Sequence, residues 1–366
     1  MSRDSCYHAL EFAAPDEDAT GRAQAVGMKR ITQEDVAREA GVTRATVSCV
    51  LNNRIGGSIR ISDETKAKIL EVSRRLGYRV NLAARSLQTR RTENLAMLVP
   101  DLGNPFYPMQ IKGAQIAAHE AGYRLIIFDS SFSIQGEREF LDMALGHVAD
   151  GVILSAFHLG RDDVRTLLEA GIPCVGLIAG LKGAGIDLVA TDQESSVGRL
   201  MEYLVSKGHR RIAHLSGDLA TANGLIRRDA YRGALAAHGL EARREWEIEG
   251  KFQREGVADL VVSWYRSLPA GERPTALFAA NDLMAVEAIK ALKREGVAVP
   301  SRLAVCGIDN IPEAQYVEPA LTSVGQDNEA IGRLATHLLI ERIESGDLDN
   351  PVLKVLPSQL FIRESA

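Results

Sequence analysis

Between Leu95 and Asp309 short apolar runs recur along the chain, and each is followed by a stretch with helical periodicity. LAMLVP (Leu95 to Pro100), YRLIIFD, DGVILSA, RIAHLSG, TALFAAND and LAVCGID are bounded by Gly, Pro or Asp. A continuous apolar run is how a strand buried on both faces reads, and the intervening helices supply the crossovers of a parallel sheet. Roughly 270 residues of this pattern exceed one doubly wound unit, so the pattern predicts two such units. An apolar content of 46% suffices to fill their cores, and no apolar run reaches the ~18 residues of a membrane span.

The segment Ile31 to Asn53 reads differently, as two short helices around a tight turn. Thr32 can cap the first helix while Asp35 reaches back, with Val36, Ala37 and Ala40 on one apolar face. Gly41 supplies the left-handed turn, Val42 plugs the crevice and Thr43 caps a second helix from Arg44 to about Leu51. Val47, Val50 and Leu51 then face inward, leaving Arg44, Ala45, Ser48 and Cys49 outside. A helix-turn-helix places the start of its second helix in the major groove of DNA, although a plain helical hairpin shows the same pattern. Ser62 opens a third helix with Ile69, Val72 and Leu76 on one face and Gly77 as its stop, which closes a three-helix core.

Charge favours DNA over the plain hairpin. From Met28 to Arg91 there are 14 Lys and Arg against 6 Asp and Glu, a net of +8; the chain totals are 43 and 48, so 29 basic face 42 acidic residues elsewhere, a net of −13. A basic head can displace counterions from phosphates while an acidic body repels DNA, which confines binding to one end and makes it salt-sensitive.

At NLAARSL (Asn81 to Leu87) the chain resembles the lactose/galactose-repressor (LacI-type) family. Its opening pattern matches Ile31 to Ala37, Ala40-Gly41-Val42-Thr43, Thr46-Val47-Ser48 and Val50-Leu51-Asn52, and the likeness continues through most of the chain. The resemblance implies a helix-turn-helix domain at 28–79, a hinge helix at 80–92, and a two-lobed α/β effector domain at 93–366 with the fold of type I periplasmic sugar-binding proteins. It places lobe crossings near Ala190 to Gln193, Ser323 to Asp327 and Asn350, so lobe 1 takes about 93–190 and 325–350 and lobe 2 about 191–324 and 351–366. Residues 1–27, acidic and unpatterned, read as a disordered tail or an overlong gene start.

The candidate DNA contacts are Thr32, Thr43, Arg44, Ala45, Thr46, Ser48, Cys49, Asn52, Arg85 and Leu87. LAARSLQTRRTEN is too short and charged to hold a helix alone. Paired across a dimer over the minor groove, it would let Leu87 wedge between base pairs, as leucine does in this family; packing on its own subunit is the other reading. Cys49 stands where the family often has Arg or His, so base readout there weakens and Arg44 becomes the best candidate for a bidentate guanine contact.

Ligands of open parallel sheets collect at the strands' carboxyl ends. By the resemblance Phe106 and Tyr107 line the effector pocket, Asp192 follows the first crossing, Arg227 clamps the effector four residues before Tyr231, Phe252 stacks on it, and Asn281 and Asp309 bind its hydroxyls or amines. These groups suit a sugar, while arginine can also clamp a carboxylate or phosphate. Asp192, Asn281 and Asp309 stand equally where helix caps stand; Phe106 and Phe252 could be core, and Arg228 could take the role of Arg227.

The chain thus reads as a cytoplasmic homodimeric repressor of a carbohydrate-catabolic operon, with a pseudo-palindromic operator and a small-molecule effector. Inducer or corepressor is left open, as is a tetramer, for which Ser365-Ala366 follows no leucine-heptad tail. A transport receptor would need an export signal and no basic head. An enzyme would need a phosphate loop or a nucleophile with its base, and no such motif occurs; His209 and His214 read as structural. Cys6, Cys49, Cys174 and Cys306 fall in no metal spacing, so reduced thiols and no metal or cofactor are expected.

Overall fold

A computed structural model describes residues 31–51, 61–79, 85–86, 89 and 91–366. The chain divides into two compact units, Met1–Asn81 and Leu82–Ala366. The acidic 1–27 segment, Asn52 and Leu87 lie outside the described residues.

The first unit is built as its caps dictate. Helix α1 (Gln33–Ala40) begins with the reciprocal pair, Asp35 N–H to Thr32 Oγ1 at 3.3 Å and Thr32 N–H to Asp35 Oδ2 at 3.0 Å, and ends at Gly41 with φ +67°. Helix α2 (Arg44–Leu51) starts where Thr43 Oγ1 accepts from Thr46 N–H at 3.2 Å. Helix α3 (Asp63–Leu76) is capped by Ser62 and closed by Gly77 at φ +68°. Val36, Val47 and Ile69 are fully buried between the three helices, each stabilising by about 1.5–3 kcal/mol.

In the second unit, lobe 1 alternates β1 (Asn94–Val99), α4 (Tyr107–Glu120), β2 (Arg124–Asp129), α5 (Ile134–Leu145), β3 (Gly151–Leu154), α6 (Arg161–Glu169), β4 (Cys174–Gly176) and β5 (Asp187–Thr191). The chain then builds α7 (Gln193–Ser206), β6 (Ile212–Ser216), α8 (Ala222–Ala237), β7 (Glu247–Glu249), α9 (Val257–Ser267), β8 (Ala276–Ala279), α10 (Asp282–Arg294), β9 (Ala304–Asp309) and β10 (Thr322–Gln326). Helix α11 (Asn328–Ser345) and β11 (Leu353–Leu356) return to lobe 1, and β12 (Ser358–Phe361) ends in lobe 2. The sheets run β11-β5-β4-β3-β1-β2 and β12-β10-β9-β8-β6-β7, parallel throughout except that β12 is antiparallel to β10. Most of the apolar runs are buried as expected, all six residues of β9 and five of six in β1, whereas β2, at the edge of its sheet, is only half-buried.

The third lobe crossing differs from the expectation. It was placed near Asn350, but Leu353–Leu356 pair in parallel with β5, Leu353 opposite Leu188 and Leu356 opposite Thr191, so the chain crosses at Pro357. The open edge of β5 takes up a strand whose Leu353 and Val355 stay exposed, which makes LKVL too weakly apolar to read as a buried strand.

Helix α11 lies on α4 with backbones nearly touching. A Cβ at Gly332 would sit 1.9 Å from the Gln110 carbonyl oxygen, and one at Gly113 would sit 2.0 Å from that of Glu329. This crossing seats Gln110 and Ile331 at the top of lobe 1.

The core of lobe 2 holds a histidine, as its structural reading implied. His214 is fully buried between the rings of Tyr231 and Phe278, 4.9 and 4.5 Å away, and its Nδ1–H donates to the Phe278 carbonyl at 3.0 Å. Burial holds its pKa down to about 3. The folded state therefore binds fewer protons than the unfolded chain below the ordinary value of 6.5, so stability present above that value is lost as pH falls towards 3. Between pH 7 and 4.5 the wild-type protein should lose about 2–3 kcal/mol more than His214→Phe. Urea midpoints at the two pH values check this, and equal losses would refute it.

Candidate functional site

On the first unit, Arg44 and Ala45 are exposed in the opening turn of α2, while Thr46, Ser48 and Cys49 are half-buried. The Thr43 and Thr46 hydroxyls lie 2.9 Å apart as a pair within the cap, and Thr32 caps α1. Exposed donors in the first turn of the second helix are what a groove-reading element offers, and Arg44 presents them. Arg85, expected at DNA, is ion-paired with Glu93 of its own unit.

In the second unit the carboxyl ends of the strands converge on one cleft between the lobes, as the strand-end rule requires. Phe106 and Tyr107 follow β1, Phe252 follows β7, Asn281 follows β8 and Asp309 closes β9; all five line the cleft together with Arg227. Arg227, from α8, is 6% exposed and reaches three partners. Its Nε donates to Gln193 Oε1 at 2.8 Å, Nη1 donates to the Ala280 carbonyl, and Nη2 lies 3.7 Å from Asp309 Oδ1. Arg228 instead pairs with exposed Asp229. The guanidinium also sits 5.6 Å from the Phe252 ring centroid.

The Phe252 ring occupies its place because residue 217 is glycine; a Cβ there would fall 2.0 Å from it. Asn281 both caps α10, accepting from Met284 N–H at 3.0 Å, and donates to the Phe252 carbonyl at 2.9 Å, so its two readings hold together. Burial pushes the Asp309 carboxyl up to about 8 against the opposing pull of Arg227. Burial likewise raises Tyr107, next to Asp309 and Ser155.

Asp192 does not join the cleft. Its carboxylate caps α7, taking Ser195 N–H at 3.0 Å and Ser195 Oγ–H at 2.5 Å, and these bonds hold its pKa below the usual carboxylate range. The next residue, Gln193, lines the cleft and holds Arg227. At a helix N-terminus the capping side chain turns back onto the backbone, while its successor projects away.

Several lining residues escaped the sequence reading. Phe132 and Phe157 add to the aromatic wall, with Phe157 5.6 Å from Phe132 and 5.8 Å from Phe252 across the lobes. Among the described residues, Gln110 Oε1 and Asn223 Oδ1 are buried without a hydrogen-bond partner, one on each lobe. The strand-end rule reaches Phe132 and Phe157, each in the loop just beyond its run; Gln110 and Asn223 sit inside helices and carry no such signal.

A three-helix unit with exposed donors on its second helix, in one chain with a two-lobed polar cleft, defines a ligand-responsive DNA-binding regulator. The family model "Bacterial regulatory proteins, lacI family" matches residues 32–81, and a "Periplasmic binding protein-like domain" matches 201–366. The chain is 36% identical to the HTH-type transcriptional regulator CelR of Thermobifida fusca over 347 residues, covering 92% of this chain and 98% of the relative. It is 32% identical to catabolite control protein A of Priestia megaterium over 337 residues, covering 92% and 99%. It therefore belongs to the lacI family of bacterial regulatory proteins.

Among solved structures, a CelR–cellobiose complex aligns with TM-score 0.67 at 32% identity, covering 92% of this chain and 100% of that one. The lac repressor dimer bound to operator and the anti-inducer ONPF aligns with TM-score 0.80 at 22% identity, covering 92% and 99%, and shares the fold. Among the described residues no helix is long and apolar enough to cross a membrane.

Proposed function

We propose that this regulator is a cytoplasmic, homodimeric repressor that binds a pseudo-palindromic operator and answers to a neutral sugar held between its lobes. The unpartnered acceptors Gln110 Oε1 and Asn223 Oδ1, facing one cleft from opposite lobes, carry the reading. A buried acceptor without a partner costs about 1–3 kcal/mol, and a sugar hydroxyl can donate to it where an ionised phosphate or carboxylate cannot. Arg227 already commits donors to Gln193 and the Ala280 carbonyl, which leaves it few with which to grip an anion. Four phenylalanine rings offer faces for a sugar ring.

The free space in this conformation is about 60 Å³. Small-ligand pockets measure roughly 300–1,000 Å³, so the lobes must part to admit the sugar. Parting the lobes is the step that links effector to operator affinity. The complex of the relative CelR with cellobiose supports a saccharide. The chain's relatives are regulators, and we assign no catalytic step to it.

On the DNA side we assign Thr32, Thr43, Arg44, Ala45, Thr46, Ser48, Cys49 and Asn52 to the operator, with Arg44 as the base-reading residue. Arg44→Ala should cost about 1–3 kcal/mol and relax specificity at one base pair. Binding to operators substituted one position at a time checks this; an equal loss on every sequence would make Arg44 a phosphate contact.

The reading as a whole is tested by retardation of the protein's own upstream DNA with neutral saccharides and their phosphorylated counterparts. A neutral sugar should release the DNA and its phosphate ester should not. Release by the ester alone would overturn the choice of effector.

A further inference from the structure

Glu137 is a carboxylate fully removed from solvent in the first turns of α5, and no cation of Lys or Arg pairs with it among the described residues. Backbone N–H groups and one imidazole surround it. Its Oε1 accepts from Phe157 N–H at 2.8 Å, and its Oε2 accepts from His158 N–H at 2.9 Å and Leu159 N–H at 2.8 Å. His158 Nδ1 lies 3.1 Å from Oε1. Three consecutive amides turned onto one side chain fix residues 157–159, between the last strand bond at Ser155 and the first bond of α6 at Gly160.

That loop carries Phe157, whose ring is the middle of the chain Phe132–Phe157–Phe252. Phe132 and Phe157 belong to lobe 1 and Phe252 to lobe 2, so Phe157 forms the aromatic bridge across the cleft. Phe252 has a strained backbone, φ +63°, and is held on the far side by the Asn281 amide.

We propose that Glu137 is a positioning residue for the effector site: by clamping the amides of Phe157, His158 and Leu159 it holds the Phe157 ring as the bridge that the effector must meet or displace. The inference rests on the proposed sugar site, although its first test does not. A carboxylate has acceptors for all three amides, whereas the amide of Glu137→Gln keeps one acceptor oxygen and turns an N–H₂ towards donors it cannot bond.

Amide hydrogen exchange on the full chain, without any sugar, reads the clamp directly. In Glu137→Gln, exchange over 155–160 should quicken at least ~10-fold while β1 and α11 keep their protection. In both Glu137→Gln and Phe157→Ala, the segment 250–254 bearing Phe252 should quicken too. Unchanged rates over 155–160 would overturn the clamp, and unchanged rates over 250–254 would overturn the bridge.

Release of operator DNA by cellobiose then separates positioning from bulk stability. Each variant should need a changed sugar concentration, on the order of tenfold, with sugar-free operator affinity intact, and the double variant should change no further than Phe157→Ala alone. Additive effects would overturn the proposal. A wild-type protein that ignores sugars would defeat the reading of the cleft, while the exchange result would still decide for or against the clamp.

Discussion

Gly332→Ala should lower the melting temperature of this protein by roughly 5 °C, the consequence of about 3 kcal/mol of forced separation between two helices. The new Cβ would stand 1.9 Å from the Gln110 carbonyl oxygen and 2.9 Å from the Ala114 nitrogen. Real Cβ atoms do not approach heavy atoms so closely, and both obstacles are backbone, so no side chain can swing aside. Helices α4 and α11 must move apart, which opens voids beside Ala114, Ile331 and Ala335. Gln110 moves with α4, so the effector response should weaken as well.

Gly233→Ala serves as the control. Gly233 is exposed on α8, and a Cβ there would meet nothing within 4 Å, so alanine should stabilise by up to about 1 kcal/mol through helix propensity. Thermal melts of the two variants check the argument; an unaltered melting temperature for Gly332→Ala would refute it.

Arg227→Ala should raise the sugar concentration needed for operator release by at least ~100-fold, about 2.7 kcal/mol, while sugar-free operator affinity stays close to wild type. The side chain joins elements from three places: Gln193 on α7, the Ala280 carbonyl after β8, and Asp309 at the end of β9. Removing one partner of a buried ion pair usually costs about 3–5 kcal/mol because a charge is left unpaired. Asp309 escapes that cost: burial pushes its carboxyl up to about 8 even beside Arg227, so at neutral pH it is already largely protonated and leaves no buried charge behind. The fold therefore survives and the loss falls on the effector.

Arg227→Lys should not rescue the response, because an ammonium cannot reproduce the three-directional fork. Sugar titrations of operator complexes decide; release at the wild-type concentration would remove Arg227 from the site.

Part of this molecule was legible before any coordinates. The caps at Thr32, Thr43 and Ser62 and the stops at Gly41 and Gly77 act over one helical turn, and the structure places each where its residue type demands. The six apolar runs became β1, β2, β3, β6, β8 and β9, because a strand within a covered sheet leaves an unbroken apolar run. The short or edge strands, such as β4, β7 and the exposed β11, carry no such run and came only with the structure. Phe106, Tyr107, Arg227, Phe252, Asn281 and Asp309 were placed by motif position, and the structure brings all six to one cleft. Asp192 was the exception there, since local sequence does not distinguish a capping aspartate from a cleft aspartate one residue away from Gln193.

The sequence by itself determined the local conformations, the order of strands and helices and the segregation of basic from acidic charge, because these follow from interactions between near neighbours and from composition. The tertiary structure alone decided which atoms meet. It brought Gln110 and Asn223 to one cleft, drew the amides of 157–159 onto Glu137, set Gly332 against Gln110 and Gly113 against Glu329, and carried the chain past Asn350 to cross at Pro357. Those contacts join residues far apart in the chain, and their geometry is set by how whole helices pack on whole sheets, a property that no window of sequence contains.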